Sequence, residues 1–396
     1  MRNEELEITN YQLPTTYNQI SQYIANSPGQ KITFAEYMDW VLYHPQWGYY
    51  GSGKANIGSQ GDFFTSSSLG SDFGELLALQ LVQMWLLLGE PNPFILVEMG
   101  AGSGLLASDI LHYLQQNQPN LFQCLQYIIV EQATGLISQQ QQQLQPWLNQ
   151  DVNLSWCSWE EIAENSITGC FFSNELVDAF PIHQITLQQG QLQEIYVASK
   201  QNQLVEVIDK PSTPKLAEYF NLVGIDLASD AYPDNYRSEV NLAALDWLKK
   251  VAQRLDRGYV ITIDYGYSAP RYYHPQRYQG TLKCYYQQRH HHNPYVNLGL
   301  QDITAHIDFT ALEVQGEFCG LHKVGFTQQA MFLMALGLGE RLAALSKSNI
   351  DIQQLLSRRD ALHQLINPTG LGKFGVLIQG THDCSQSNLQ GLYLGI

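Results

Sequence analysis

Residues 96 to 106 read LVEMGAGSGLL: an apolar run closes on Glu98, and Gly100, Gly102 and Gly104 follow at alternate positions. Glycines this close make a strand-to-helix turn whose missing side chains let a ligand approach the backbone. A dinucleotide fingerprint, G-x-G-x-x-G, needs its third glycine or alanine at position 105, which is Leu105, so a nicotinamide nucleotide is disfavoured. A phosphate loop needs a Gly-Lys-Ser/Thr ending, and no lysine occurs between Lys54 and Lys200. What remains is a turn suited to a flat, partly cationic ligand that Glu98 would meet.

S-adenosylmethionine (SAM) has that chemistry: an ammonium, a sulfonium and a ribose, with no phosphate. The next apolar run ends in Glu131, whose carboxylate can accept both ribose hydroxyls. In the later turn CSWEEI, Ser158 and Trp159 are suited to bond and stack on an adenine, although an ordinary core tryptophan has the same signature. The segment FFSNELVDAF leaves another strand and offers Asn174, Glu175 and Asp178. Asn174 reads as a cofactor contact, and Asp178 could equally cap a helix. Asp62 lies in a loop rich in glycine and aromatics, where it suits a guanidinium or the methionine ammonium of SAM. Asp264, closing the strand within ITIDYGY, reads as structural. The run His290 to His292 has no partner cluster at ligand spacing, so no metal is expected. His306 and His183 read as core or supporting residues.

The elements that must position these groups follow from periodicity. Residues 17 to 43 carry a helical pattern, and HPQWGYYGSGKANIGSQGDFFTSSS reads as a long binding loop. The stretch LGSDFGELLALQLVQMWLLLGEP predicts a buried helix with Ser68 as its N-cap. From Ile95 onward, the strand-sized runs ILVEM, LQYIIVE, GCFFSNE and YVITIDYG alternate with helical stretches and end in polar or acidic residues. That pattern predicts a doubly wound, mostly parallel α/β sheet with its site at the carboxyl ends of the strands. The expected division is an N-terminal helical region and loop over 1–94, then a ligand-binding domain over 95–396. That domain carries insertions at about 183–235, a small antiparallel meander, and at about 265–310, rich in loops and aromatics. The tail predicts helix followed by a last strand in KFGVLIQG.

Lys+Arg number 21 against 37 Asp+Glu, for a net charge of −16. A chain this acidic repels a phosphate backbone, so nucleic acid is not an expected partner. The glutamine run Gln139 to Gln143 reads as the solvated face of a helix. None of the 6 cysteines forms a C-x-x-C pair, which fits a reducing compartment. The N-terminal residues lack a signal peptide's apolar core and no run is long enough to span a bilayer, so the expectation is a soluble, cytoplasmic protein without membrane insertion. The oligomeric state is open, a homodimer included.

Eight stretches, ITFAEYMDWVLYHPQWGYY, GDFFTSSSLGSDFGE, VEMGAGSG, SNELVDAFPIHQ, ITIDYGY, GTLKCYY, GLQDITAHIDF and GKFGVLIQG, occur in an order that resembles the MidA-like group of class I SAM-dependent methyltransferases. That group includes the mitochondrial complex I assembly arginine methyltransferase. Ser67, Lys283 and Asn293 depart from the usual pattern around the substrate pocket. The resemblance implies a seven-stranded Rossmann-like sheet, SAM as cofactor, and transfer of a methyl group to an arginine-bearing segment of a protein, a subunit of a respiratory or NDH-type complex. Carboxylates would then draw the guanidinium charge away from the accepting nitrogen. Glu175 is the first candidate, with Asp178 and Asp62 beside it. The alternatives are a SAM-binding assembly factor without catalysis and a small-molecule methyltransferase.

Overall fold

The computed structural model describes residues 13–55, 58, 65–150, 152–345 and 351–393. Asp62 lies outside the described residues, and with it the expectation placed on that carboxylate.

Seven strands form the central sheet: β1 Phe94–Met99, β2 Leu125–Val130, β3 Leu154–Trp156, β4 Ile167–Asn174, β5 Leu255–Asp264, β6 His322–Gln328 and β7 Gly375–Gly380. Their order across the sheet is β6-β7-β5-β4-β1-β2-β3. β1 to β5 run parallel, and β7 lies antiparallel between β5 and β6. Every residue of β1 is buried, as continuous apolar runs covered on both faces must be. The chain reverses direction across the sheet between β1 and β4, where α/β folds open a crevice at the strand ends.

Register delivers the site. Glu98 pairs with Ile129 of β2 and Phe172 of β4, while Asn174 pairs with Ile263. The carboxyl ends of β1, β2, β4 and β5 therefore come level. Gly375 opens β7 opposite Asp264, which brings Lys373 and Phe374 to the same edge.

The first insertion is an antiparallel meander, His183–Gln188, Gln191–Lys200, Gln203–Asp209 and Arg237–Val240. Lys31–Thr33 joins it beside Gln191–Lys200. The second contributes Lys283–Tyr286, Arg289–His291 and Asp302–Thr304 as a three-stranded sheet.

Three local expectations are corrected. The pattern over 17–43 belongs to two helices, Leu13–Asn26 and Phe34–Tyr43, because the Pro28–Gln30 turn, with Gly29 at φ 68°, breaks the first. Thr33 and Glu36 then open the second with a reciprocal capping box. Ser68 is not the N-cap of the long helix, which spans Asp72–Leu87. It belongs to a preceding 3-10 turn, where its hydroxyl accepts from the Thr65 N–H at 3.0 Å. Finally, HKVGFTQ forms β6 as an edge strand whose exposed positions hid it from an apolar-run search.

Candidate active site

A cavity of about 690 Å³ opens at the carboxyl ends of the parallel strands. Its lining unites Glu98, Gly100, Gly102, Glu131, Asn174, Glu175 and Asp178 with Asp302, Tyr265 and Lys283.

The glycine turn forms one wall. Gly100, Gly102 and Gly104 all adopt positive φ, at 69°, 53° and 83°. A Cβ on Gly100 would lie 2.6 Å from Leu176 Cδ1, so a side chain there would force Leu176 to move. Gly104 is not in the lining. It caps the Leu105–Asn117 helix and packs on Gln140 and Leu144.

Glu98 is 2 % exposed and accepts a 2.6 Å hydrogen bond from the Tyr127 hydroxyl. Burial pushes its carboxyl up to about 7, against the pull of that bond. Glu131 accepts from the Ala133 N–H and from Gln140 Nε2, both at 2.9 Å. Burial raises its pKa as well. The glutamine run is a solvated face at Gln139 and at Gln141 to Gln143, but Gln140 departs from that reading: it is wholly buried, donates to Glu131 and Gly102 O, and accepts from Trp156 Nε1. The polar bonds it satisfies explain how a glutamine can sit in that interior.

The loop after β4 carries the second group of acids. Glu175 occupies left-handed backbone at φ 53°, a conformation that costs a non-glycine residue about 1–3 kcal/mol and that clusters at functional sites. Three bonds hold it there. Its N–H donates to Ile263 O at 2.9 Å, while its Oε1 accepts from the Ser66 N–H and Asn174 Nδ2, each at 3.1 Å. Burial pushes its carboxyl up to about 8. Asp178 is buried, and burial raises its pKa too. Asp264 accepts from the N–H groups of Val177, Asp178 and Tyr265, so it shapes the loop as its structural reading anticipates.

Ser158 and Trp159 are not brought to the cavity. The Glu161 carboxylate accepts from the Ser158 N–H, while Trp159 stacks on Phe171 at 6.3 Å and lies under the Arg254 guanidinium. Arg254, which also donates to Trp159 O, is 95 residues away, beyond the reach of a local signal.

Other lining groups escaped the sequence reading. Asp302 accepts from the Tyr50 hydroxyl at 2.8 Å. Tyr265 stands beside Asp178, and the segment from Gln364 to Phe374 closes one side. The stretches GLQDITAHIDF and ITIDYGY contain Asp302 and Tyr265, but a single acid or tyrosine has no spacing that marks it. His306 also lines the cavity; burial lowers its pKa to about 3, so its ring is neutral. His290 lines the mouth, and His292 Nδ1 lies 3.0 Å from Leu282 O. Among the described residues, no group of acids, histidines and cysteines could hold a metal ion, and no helix is long and apolar enough to cross a membrane.

The donors and acceptors fit SAM. Among the described residues, Oδ1 of Asn174 and Oδ1 of Asp178 are buried without a hydrogen-bond donor, and both residues face the cavity. Ligand ammonium or hydroxyl groups would satisfy such atoms. The acids beside the turn complement a cation.

The sequence family of S-adenosyl-L-methionine-dependent methyltransferases matches residues 76–327. A crystal structure of a Burkholderia thailandensis protein bound to S-adenosyl-homocysteine is similar over 96 % of this chain and 94 % of that one, with TM-score 0.83 and 30 % identity. The Drosophila melanogaster protein arginine methyltransferase NDUFAF7 homolog, mitochondrial, is 28 % identical over 366 residues, covering 86 % of this chain and 79 % of its own. The human protein arginine methyltransferase NDUFAF7, mitochondrial, is 29 % identical over 370 residues, covering 86 % and 78 %. Those mitochondrial names overturn the cytoplasmic expectation. Its basis was weak in physical terms, because an apolar segment reports on secretion and says nothing of import by an amphipathic leader. SAM is the cofactor, and the chain belongs to the MidA-like family of SAM-dependent methyltransferases.

Proposed function

We propose that this methyltransferase modifies an arginine side chain of a protein, with Glu175 and Asp178 gripping the guanidinium. The observation that carries the reading is the placement of Glu175, with buried Asp178 and Asp302, around the same cavity as the glycine turn. The names of the fly and human relatives support the choice of arginine, and the family resemblance supports a respiratory or NDH-type subunit as acceptor. Glu98, Gly100, Gly102, Glu131 and Asn174 are assigned to the cofactor.

SAM, when bound, supplies a methyl carbon activated by its sulfonium, so the new N–C bond forms as the S–C bond breaks. The protein's part is alignment and charge. Orienting two reactants in this way can supply about 7–11 kcal/mol. A guanidinium is a poor nucleophile because its charge is delocalised over all three nitrogens. The Glu175 carboxylate accepts N–H bonds from nitrogens away from the methyl, concentrating the positive charge there and freeing electron density on the accepting nitrogen. The methylated nitrogen then gives up its extra proton to solvent, leaving a singly charged methylguanidinium and S-adenosyl-homocysteine.

That role requires Glu175 to be ionised, whereas in the free protein its proton is held up to about pH 8. Entry of a guanidinium favours the charged carboxylate, so acceptor binding is coupled to proton release. Incubation of the protein with tritium-labelled SAM and solubilised respiratory membranes should label one protein at arginine. Absence of protein label, or label confined to small metabolites, would reject the reading.

A further inference from the structure

Just outside the acidic cavity lies a strip of opposite charge. Tyr267 carries two guanidiniums over its ring, Arg271 at 4.6 Å and Arg277 at 4.4 Å. It also stacks on His306 at 5.0 Å and 15°. His306 lines the cavity together with Lys283 and Lys373. The charges of Lys283, Lys373 and Arg277 all act on that imidazole and help hold it neutral. The four cations thus run from the cavity mouth to the surface.

The chain has only 21 Lys+Arg against 37 Asp+Glu, so basic residues are scarce, yet four of them gather here around Tyr267 and His306. Among the described residues, none of Arg271, Arg277, Lys283 and Lys373 has a carboxylate within ion-pair distance; that is also true of scattered cations such as Lys200 and Lys249, so the grouping sets these four apart. Like charges gathered without intramolecular partners repel one another, and a ligand of opposite sign relieves that repulsion.

We propose that this strip docks an acidic segment of the protein substrate beside the residue that enters the cavity. The inference rests on the protein acceptor proposed above. It adds a bipartite rule: a cationic side chain goes inward toward Glu175 and Asp178, and carboxylates neighbouring it in the substrate lie along Lys283, Lys373, Arg277 and Arg271. An acidic peptide fits better than a nucleic acid because the net charge of −16 would repel a long phosphate chain beyond the strip.

The test is fluorescence anisotropy on the full chain with three labelled probes: a glutamate-rich peptide carrying a single arginine, its glutamine counterpart, and an oligothymidine. The glutamate peptide should bind at least about tenfold more tightly than the glutamine one, and raised salt should erase the difference. The double variant Arg271→Glu, Arg277→Glu should lose the preference. The milder pair Arg271→Gln, Arg277→Gln should lose most of it while still binding S-adenosyl-homocysteine in calorimetry, which shows that the fold is intact. Equal binding of the two peptides overturns the proposal. So does a preference that survives in folded variants, or tighter binding of the oligothymidine. Methylation is not the readout, so a chain that prefers the acidic peptide yet transfers no methyl group would sink the catalytic reading alone.

Discussion

The backbone N–H of Ser66 donates to Oε1 of Glu175 at 3.1 Å, tying the 3-10 turn Ser66–Leu69 to the loop after β4. The same serine's hydroxyl bonds Gln329 Oε1 at 3.2 Å, and Gln329 Nε2 donates to Leu365 O. One carboxylate at the centre of the cavity is thereby fixed by segments far apart in sequence. Its left-handed backbone is held by the surrounding structure, as an unfavourable conformation must be.

Gly100→Ala should remove cofactor binding and destabilise the fold. The residue sits at φ 69°, and the added Cβ would meet Leu176 Cδ1 at 2.6 Å. Left-handed backbone alone costs an alanine about 1–2 kcal/mol. Thermal melting and calorimetry with S-adenosyl-homocysteine would read the two effects, and an unchanged affinity would show that Leu176 yields freely.

Stability should fall as pH rises from about 5 to about 8. Glu175 is held up to about 8 and Glu98 to about 7 by burial, both above the ordinary carboxyl range of about 4.3. The folded protein therefore binds more protons than the unfolded chain in this window. The stabilisation is complete below the ordinary pKa and is lost as pH passes through the folded values. Melting temperatures across that range should show a smaller fall in Glu175→Gln than in the parent protein. An identical slope in the variant would mean that Glu175 is ionised in the fold.

Asp72→Asn should destabilise the wall formed by the C-terminal helices. Asp72 is 6 % exposed and accepts from Arg341 and Arg358 at 2.7 to 2.9 Å. These arginines come from the Leu338–Leu345 and Ile352–Leu365 helices, which lead into the Gln364 to Phe374 side of the cavity. Hydrogen bonds to charged groups contribute about 1.5–3 kcal/mol each, and the partial exposure of Arg358 reduces its share. Hydrogen exchange should quicken in those helices before it does in β1. Uniform exchange would place the clasp outside the stability of that wall.

Legibility followed the range of the physical signal. The position of Glu98 and Glu131 at the cavity could be read because each closes an apolar run of strand length, and parallel pairing brings such ends level. Glu175 stood out for the same reason. Trp159 misled because its surroundings, Phe171 and Arg254, are set by packing between segments with no common period. Gln140 misled for a related reason: within a polar run, the single side chain facing Glu131 and Trp156 differs from its neighbours only by helix phase. Ser68 fell one turn short of the helix it was expected to cap, since Thr65 offered it a competing local bond.

The most direct test is mass spectrometry of the arginine acceptor after reaction with SAM, comparing the parent protein with Glu175→Gln. The account predicts a rate about 10² to 10³ lower in the variant, the scale of losing one charge-stabilising group, with affinity for S-adenosyl-homocysteine retained. Methylation at the parental rate by Glu175→Gln would contradict it.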